Sequence, residues 1–120
     1  MCYFIGIEDL VANALIEIVE NTGNRTISFS QLHQYGDAII ARLKAGNTDA
    51  TLIFTRDKTD QFFHDCSDIF TINEKEHDVF ITLNDGVSTT YLRKRFRVRL
   101  ALSLLEAFVA DDVLSAIIKS

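Results

Sequence analysis

Two short stretches gather the side chains that could do chemistry. "FHDCSD" puts His64, Asp65, Cys66 and Asp68 together, and "EKEHD" adds Glu74, Glu76, His77 and Asp78. All are potential metal ligands, and His64 beside Cys66 is a minimal pairing of base and nucleophile. Laid out as a strand, however, the first stretch points His64, Cys66 and Asp68 to one side and Asp65 to the other, with no recognised ligand spacing. Residues two apart on a strand are poorly oriented for proton transfer. Neither catalysis nor a metal or other cofactor is expected. Cys2 and Cys66 are too few and too far apart for a disulfide framework, so buried or idle thiols are the expectation. Asp111 and Asp112, adjacent acids near a helix start, read as caps. Gly23, Gly46 and Gly86 stand alone and build no phosphate cradle.

The second concentration is electrostatic. "RKRFRVR", residues 93–99, holds five of the chain's twelve basic residues, while residues 1–92 carry six basic and fourteen acidic side chains. Successive charges are therefore −8 for 1–92, +5 for 93–99 and −2 for 100–120, the net of −5. Arg93, Lys94, Arg95, Arg97 and Arg99 around Phe96 could grip phosphates while the ring stacks on a base. The favoured reading is a solvated face paired with the acidic stretch 57–78, since the domain lacks the wider basic footprint of a nucleic-acid binder, and a third is a site for an acidic protein partner. An acidic body repels a polyanion unless the basic run has its own face.

Whether it does depends on the element that carries it. As a strand, Arg93, Arg95, Arg97 and Arg99 share one face and Leu92, Phe96, Val98, Leu100, Leu102 and Leu104 the other, with Lys94 breaking the alternation. As a helix, the same bases scatter around the axis. Composition favours helix, and Val98, Ala101, Leu102, Leu105, Phe108, Val109, Val113, Ala116 and Ile117 follow a helical stripe. Helix is expected from about Arg97, with a break near Asp111; residues 93–96 stay open between the two forms.

The rest of the chain supplies the frame. Ile7, Leu10, Val11, Ala14, Leu15, Ile18 and Val19 predict an amphipathic helix over 7–20, with Asn13 on its polar side and Gly23 past its end. After a short "TIS" strand, Ser28 and Gln31 form an S-x-x-Q capping box, with Ile27 and Leu32 as a hydrophobic staple. A second helix therefore begins at Phe29, with Gly46 placed to end it; Gly36 either lies within it or marks a turn between two shorter helices. "ATLIFT" and "QFFHD" read as strands joined by polar "RDKTD", and "DIFTI" and "DVFITL" as strands joined by "NEKEH". "NDG" at 84–86 is a turn signal, after which "VSTTYL" is a strand or a helix capped by Ser88.

The expected fold is thus α+β in one domain: two N-terminal helices, three to five short antiparallel strands and a C-terminal helical segment. The element order resembles the layout of a winged helix, with 7–20 as its first helix, 28–45 as the helix-turn-helix and "RDKTD" as the wing. In a DNA-reading member the second helix of the pair projects basic or amide groups into the major groove. The resemblance offers Asp37, Arg42, Lys44 and Asn47 there, and a wing in which Arg56 and Lys58 alternate with Asp57 and Asp60. That pattern suits protein binding better.

No run of about 18 uncharged apolar residues exists, and the N-terminus lacks a basic region and a cleavage site, so a cytoplasmic protein is expected. The leading expectation is a non-catalytic interaction or regulatory domain that binds a protein partner or forms a homodimer. The alternative is a winged-helix-like nucleic-acid binder using Arg93, Lys94, Arg95, Phe96, Arg97 and Arg99.

Overall fold

The computed structural model describes residues 2–96. The helix expected from about Arg97, and Arg97 and Arg99 themselves, lie outside the described residues. Those described form an α+β structure in the order β1 (Cys2–Ile5), α1 (Ile7–Thr22), β2 (Thr26–Ser28), α2 (Phe29–Ala45), β3 (Asp49–Leu52), α3 (Arg56–Asp65), β4 (Phe70–Lys75), β5 (Asp78–Leu83) and α4 (Thr89–Arg95).

α1 is the hub. It packs against α2, α3, α4 and β2, and Leu10, Val11, Ala12, Leu15, Ile16 and Ile18 on it are all buried. The expectation of a polar side carrying Asn13 is corrected: Asn13 is 1 % exposed, because neighbours cover more than the one stripe that the apolar spacing marks. Its amide nitrogen donates to the Asp9 carbonyl at 2.7 Å, which removes the cost of burying it. Gly23, at φ 76°, ends α1 in the left-handed conformation and donates its N–H to the Val19 carbonyl.

α2 starts where its capping box places it. The Ser28 hydroxyl accepts from the Gln31 N–H, and the Gln31 side chain accepts from the Ser28 N–H. Gly36 lies inside this single helix, so the turn alternative falls. A Cβ at Gly36 would come within 3.0 Å of Leu52 Cδ1 and 3.5 Å of Leu10 Cδ1. The glycine lets β3 and α1 close onto α2, which offsets its poor helix propensity. The Gly46 N–H caps the end, while Asn47 takes the positive φ of 64°.

β2, β5 and β4 form an antiparallel sheet in that order. Ile27, Ile81 and Phe70 turn inward from its three strands and are buried, whereas Ile72 on the edge strand β4 is exposed. The loop drawn from "NEKEH" is shorter than expected: Lys75 pairs with Asp78, leaving only Glu76 and His77 in the turn. A second, parallel pair joins β1 to β3, with Cys2 opposite Asp49 and Ile5 opposite Leu52. The strands are thus not all antiparallel.

The largest correction concerns 56–65. "RDKTD" and "QFFHD" are not a loop and a strand but the helix α3. The Thr55 hydroxyl caps it by accepting from the Lys58 N–H at 3.2 Å. Thr59, Phe62, Phe63 and Cys66 then follow at helical spacing and turn toward the core. The expected helix-turn-helix within 28–45 and the wing at "RDKTD" are overturned with it. Beyond β5, the NDG turn bends as expected around Gly86, at φ 83°, and Ser88 caps α4 by accepting from the Tyr91 N–H. The open question at 93–95 is resolved as helix.

Candidate functional site

The last turn of α4 carries the described part of the basic run, and its helical form divides it. Arg93 reaches back to α1, where its guanidinium donates to both carboxylate oxygens of Glu20. That contact, with Thr89 assisting, holds the Glu20 carboxyl below its usual range against the opposing effect of burial. Lys94 is exposed. The Arg95 guanidinium lies over the Phe96 ring, 5.6 Å from its centroid. Three consecutive bases therefore serve three different surroundings, and no single basic face results among the described residues.

Phe96 instead terminates a row of aromatic rings. Its ring packs 5.8 Å from Phe62 and 6.0 Å from Phe70; Phe62 lies 5.0 Å from Phe63, and Phe63 6.1 Å from Phe29. Phe70 is buried beneath the row, while Phe29, Phe62, Phe63 and Phe96 are only half-buried. α3 brings these rings together, which is why reading "QFFHD" as a strand hid the arrangement. Two adjacent phenylalanines on a helix can both meet the same neighbours; on a strand they would face opposite ways.

An open cleft of about 700 Å³ borders the row. The start of α1 contributes Glu8 and Asp9, α3 and its cap contribute Lys58, Gln61, Phe62, Asp65 and Cys66, and the end of α4 contributes Arg95 and Phe96. Gln61 donates to Asp65 across one turn at 2.7 Å. The cleft is of mixed charge, with three carboxylates against two cations. Cys66 is 4 % exposed; burial is the main influence and raises its thiol pKa, with Asp68, Asp65 and Glu8 adding to the rise and Arg95 opposing it. It is a protonated core thiol rather than an activated nucleophile.

The two sequence clusters are separated by the fold. His64 and Asp65 lie exposed on the last turn of α3, Asp68 is exposed in the following turn, and Cys66 points inward. Glu74 is on β4, Glu76 and His77 form the hairpin tip, and Asp78 on β5 accepts a hydrogen bond from the Ser30 hydroxyl. Among the described residues, no three His, Cys, Asp or Glu side chains converge as a metal-binding group. The α2 residues Asp37, Arg42 and Lys44, and Asn47 just beyond the helix, are all exposed.

Sequence reasoning also missed Arg25. Its guanidinium donates to the carbonyls of Asn84 and Val87 at 2.7 and 2.9 Å, bracing the turn that launches α4. Nothing in its local sequence marks that role, since its partners lie about sixty positions away.

No family model, curated protein or solved structure matches this chain. No helix among the described residues is long and apolar enough to cross a membrane.

Proposed function

We propose that this chain is a small non-catalytic interaction domain of the cytoplasm, acting through a protein partner or a second copy of itself. The observation that carries this reading is the row of half-buried rings, Phe29, Phe63, Phe62 and Phe96, beside a cleft of mixed charge. Aromatic side chains left partly uncovered and rimmed by charges are what protein interfaces favour at their centres. The buried, protonated Cys66 and the dispersed histidines offer no counterpart for catalysis.

A second reading has its own support. With the parallel pair β1–β3 set aside, the order α1, β2, α2, α3, β4, β5, with strand order β2-β5-β4, resembles a winged helix in which α3 is the second helix of the pair, β3 lies between the two helices and Glu76–His77 is the wing tip. A nucleic-acid binder of that layout would present α3 and the wing to phosphates. Here α3 sets Asp57, Asp60 and Asp65 against Arg56 and Lys58, and the hairpin tip sets Glu74, Glu76 and Asp78 against Lys75. Both surfaces are net negative, by one charge on α3 and by two at the hairpin tip, which favours the protein-binding reading.

Fluorescence anisotropy with mixed-sequence DNA and RNA separates the two, using the full chain beside an Arg95→Ala, Arg97→Ala, Arg99→Ala variant. The expected result is no saturable binding at physiological salt. Tight binding that falls steeply with salt and disappears in the variant would move the nucleic-acid reading to first place.

A further inference from the structure

We propose that the outer edge of β4 pairs with itself: two copies of this chain join β4 to β4, antiparallel about a two-fold axis at Ile72, into one continuous sheet. The proposal rests on the self-association half of the reading above and supplies its surface.

β4 is an end strand of the β2-β5-β4 sheet, and residues 71–75 along it are all exposed. Which backbone groups it offers follows from its register on β5. Lys75 pairs with Asp78 across the two-residue turn, and the Asn84 N–H donates to the Ile69 carbonyl at 2.9 Å. Residues 69, 71, 73 and 75 therefore turn their backbone polar groups toward β5, while Phe70, Ile72 and Glu74 turn theirs away from it. The Phe70 N–H is already committed to the Cys66 carbonyl at 3.0 Å. The edge thus presents a carbonyl at Phe70 and both groups at Ile72 and Glu74. Its charges sit at the hairpin end, and neither a proline nor a bulge interrupts the six residues paired with β5.

Ile72 supplies the apolar part. It is 38 % exposed, although it lies on the sheet face that carries the buried Phe70, Ile81 and Ile27. A core-facing side chain left bare at a sheet edge is accounted for when the sheet continues past it.

The choice of a second β4 rests on register. With Ile72 opposite Ile72, each donates its N–H to the other's carbonyl, and each Glu74 N–H meets a Phe70 carbonyl, the group still open there. The two bare isoleucines then cover each other. Sliding by two residues in one direction sets Ile72 against the Glu74 carboxylate. Sliding in the other pairs it with Phe70, whose committed N–H leaves the Ile72 carbonyl without a donor.

Charge agrees with the same register. Lys75 falls opposite Ile69 of the second copy, beside its Asp68; both Lys75 and Asp68 are exposed, and neither has an ion pair among the described residues. The two Glu74 carboxylates lie on opposite sides of the axis, roughly 14 Å apart along the strands. The pairing presents the same surface from each copy and closes at two.

The test is a charge swap at the axis. Ile72→Lys and Ile72→Glu, each in the full chain and each checked for a cooperative thermal transition, are sedimented separately and mixed in equal amounts. The native chain is expected to dimerise. Like charges opposed at the axis are expected to raise the dimer dissociation constant of each variant alone about tenfold or more, and the mixture to recover most of the loss. A dimer that neither variant weakens would overturn the edge pairing while leaving self-association standing, and a native chain that stays monomeric would overturn both. Weakening without recovery in the mixture would place Ile72 against some other segment and overturn the register. Amide hydrogen exchange on the native chain tests the same edge should the variants fail to fold. The Ile72 and Glu74 N–H groups are expected to be protected in the dimer and to exchange about tenfold faster or more on dilution to monomer. Exchange unchanged by dilution, whether fast or slow, would overturn the proposal, and slow exchange in the monomer would mean that the chain covers its own edge.

Discussion

Among single residues, the pairing of Arg93 with Glu20 decides how the basic run is used. The pair is partly exposed, with side-chain accessibilities of 45 % and 39 %, so its stabilisation is modest, about 0.5 kcal/mol after solvent screening. Its sign with pH is nevertheless definite. The folded-state pKa of Glu20 is depressed, chiefly by the hydrogen bonds from Arg93. The contribution is therefore present above the ordinary carboxylate range and is lost as pH falls through the folded value. Asp78 acts in the same sense: burial pushes its pKa up, but hydrogen bonds from Ser30 and the Val79 N–H outweigh it and hold it low. A Glu20→Gln variant is expected to be slightly less stable than the native chain at neutral pH, with the difference vanishing at an acid pH where Glu20 is protonated in the folded chain as well. Urea midpoints at the two pH values check this, and an equal difference at both would contradict it.

Among the elements, the β4–β5 hairpin turns through Glu76 and His77 at φ 54° and 67°. Two-residue hairpin loops of this kind favour Asn and Gly; Glu76 is poorly suited to positive φ, and His77, which tolerates it better than most residues, lacks the freedom of glycine. Glu76→Asn with His77→Gly is expected to stabilise the protein by about 1 kcal/mol. Thermal unfolding measures it, and an unchanged or lower midpoint would show that the tip is held by contacts rather than strained. The same hairpin shows how far elements were legible in sequence. Local chemistry announced the Ser28–Gln31 box, Gly23 and the two strands of the hairpin, and offered the Ser88 cap as one of two alternatives, because each signal lies within a few residues of the element it marks. β1 carried no such signal: four residues long, it exists by pairing with β3 across two helices. α3 was hidden because its apolar face is short and its surroundings polar. Thr55 as a cap and the spacing of Thr59, Phe62, Phe63 and Cys66 were the clues to it.

Over the molecule as a whole, the acidic body and the aromatic row point the same way. Net charge of −5 sets long-range repulsion against nucleic acid, and the helix that carries 93–95 spends Arg93 on an internal partner instead of on a common face. That division followed from helix geometry, which the sequence could pose only as one of two alternatives. The row of rings, by contrast, joins side chains from α2, α3 and the end of α4 over Phe70 of β4, and such a surface becomes visible only once α3 has been placed. We take this surface to be covered by another protein molecule, and the edge of β4 by a second copy of the chain. Sedimentation velocity on the full chain across the micromolar range is the decisive measurement. A concentration-dependent dimer is the expected result, and a single monomeric species throughout that range would contradict self-association.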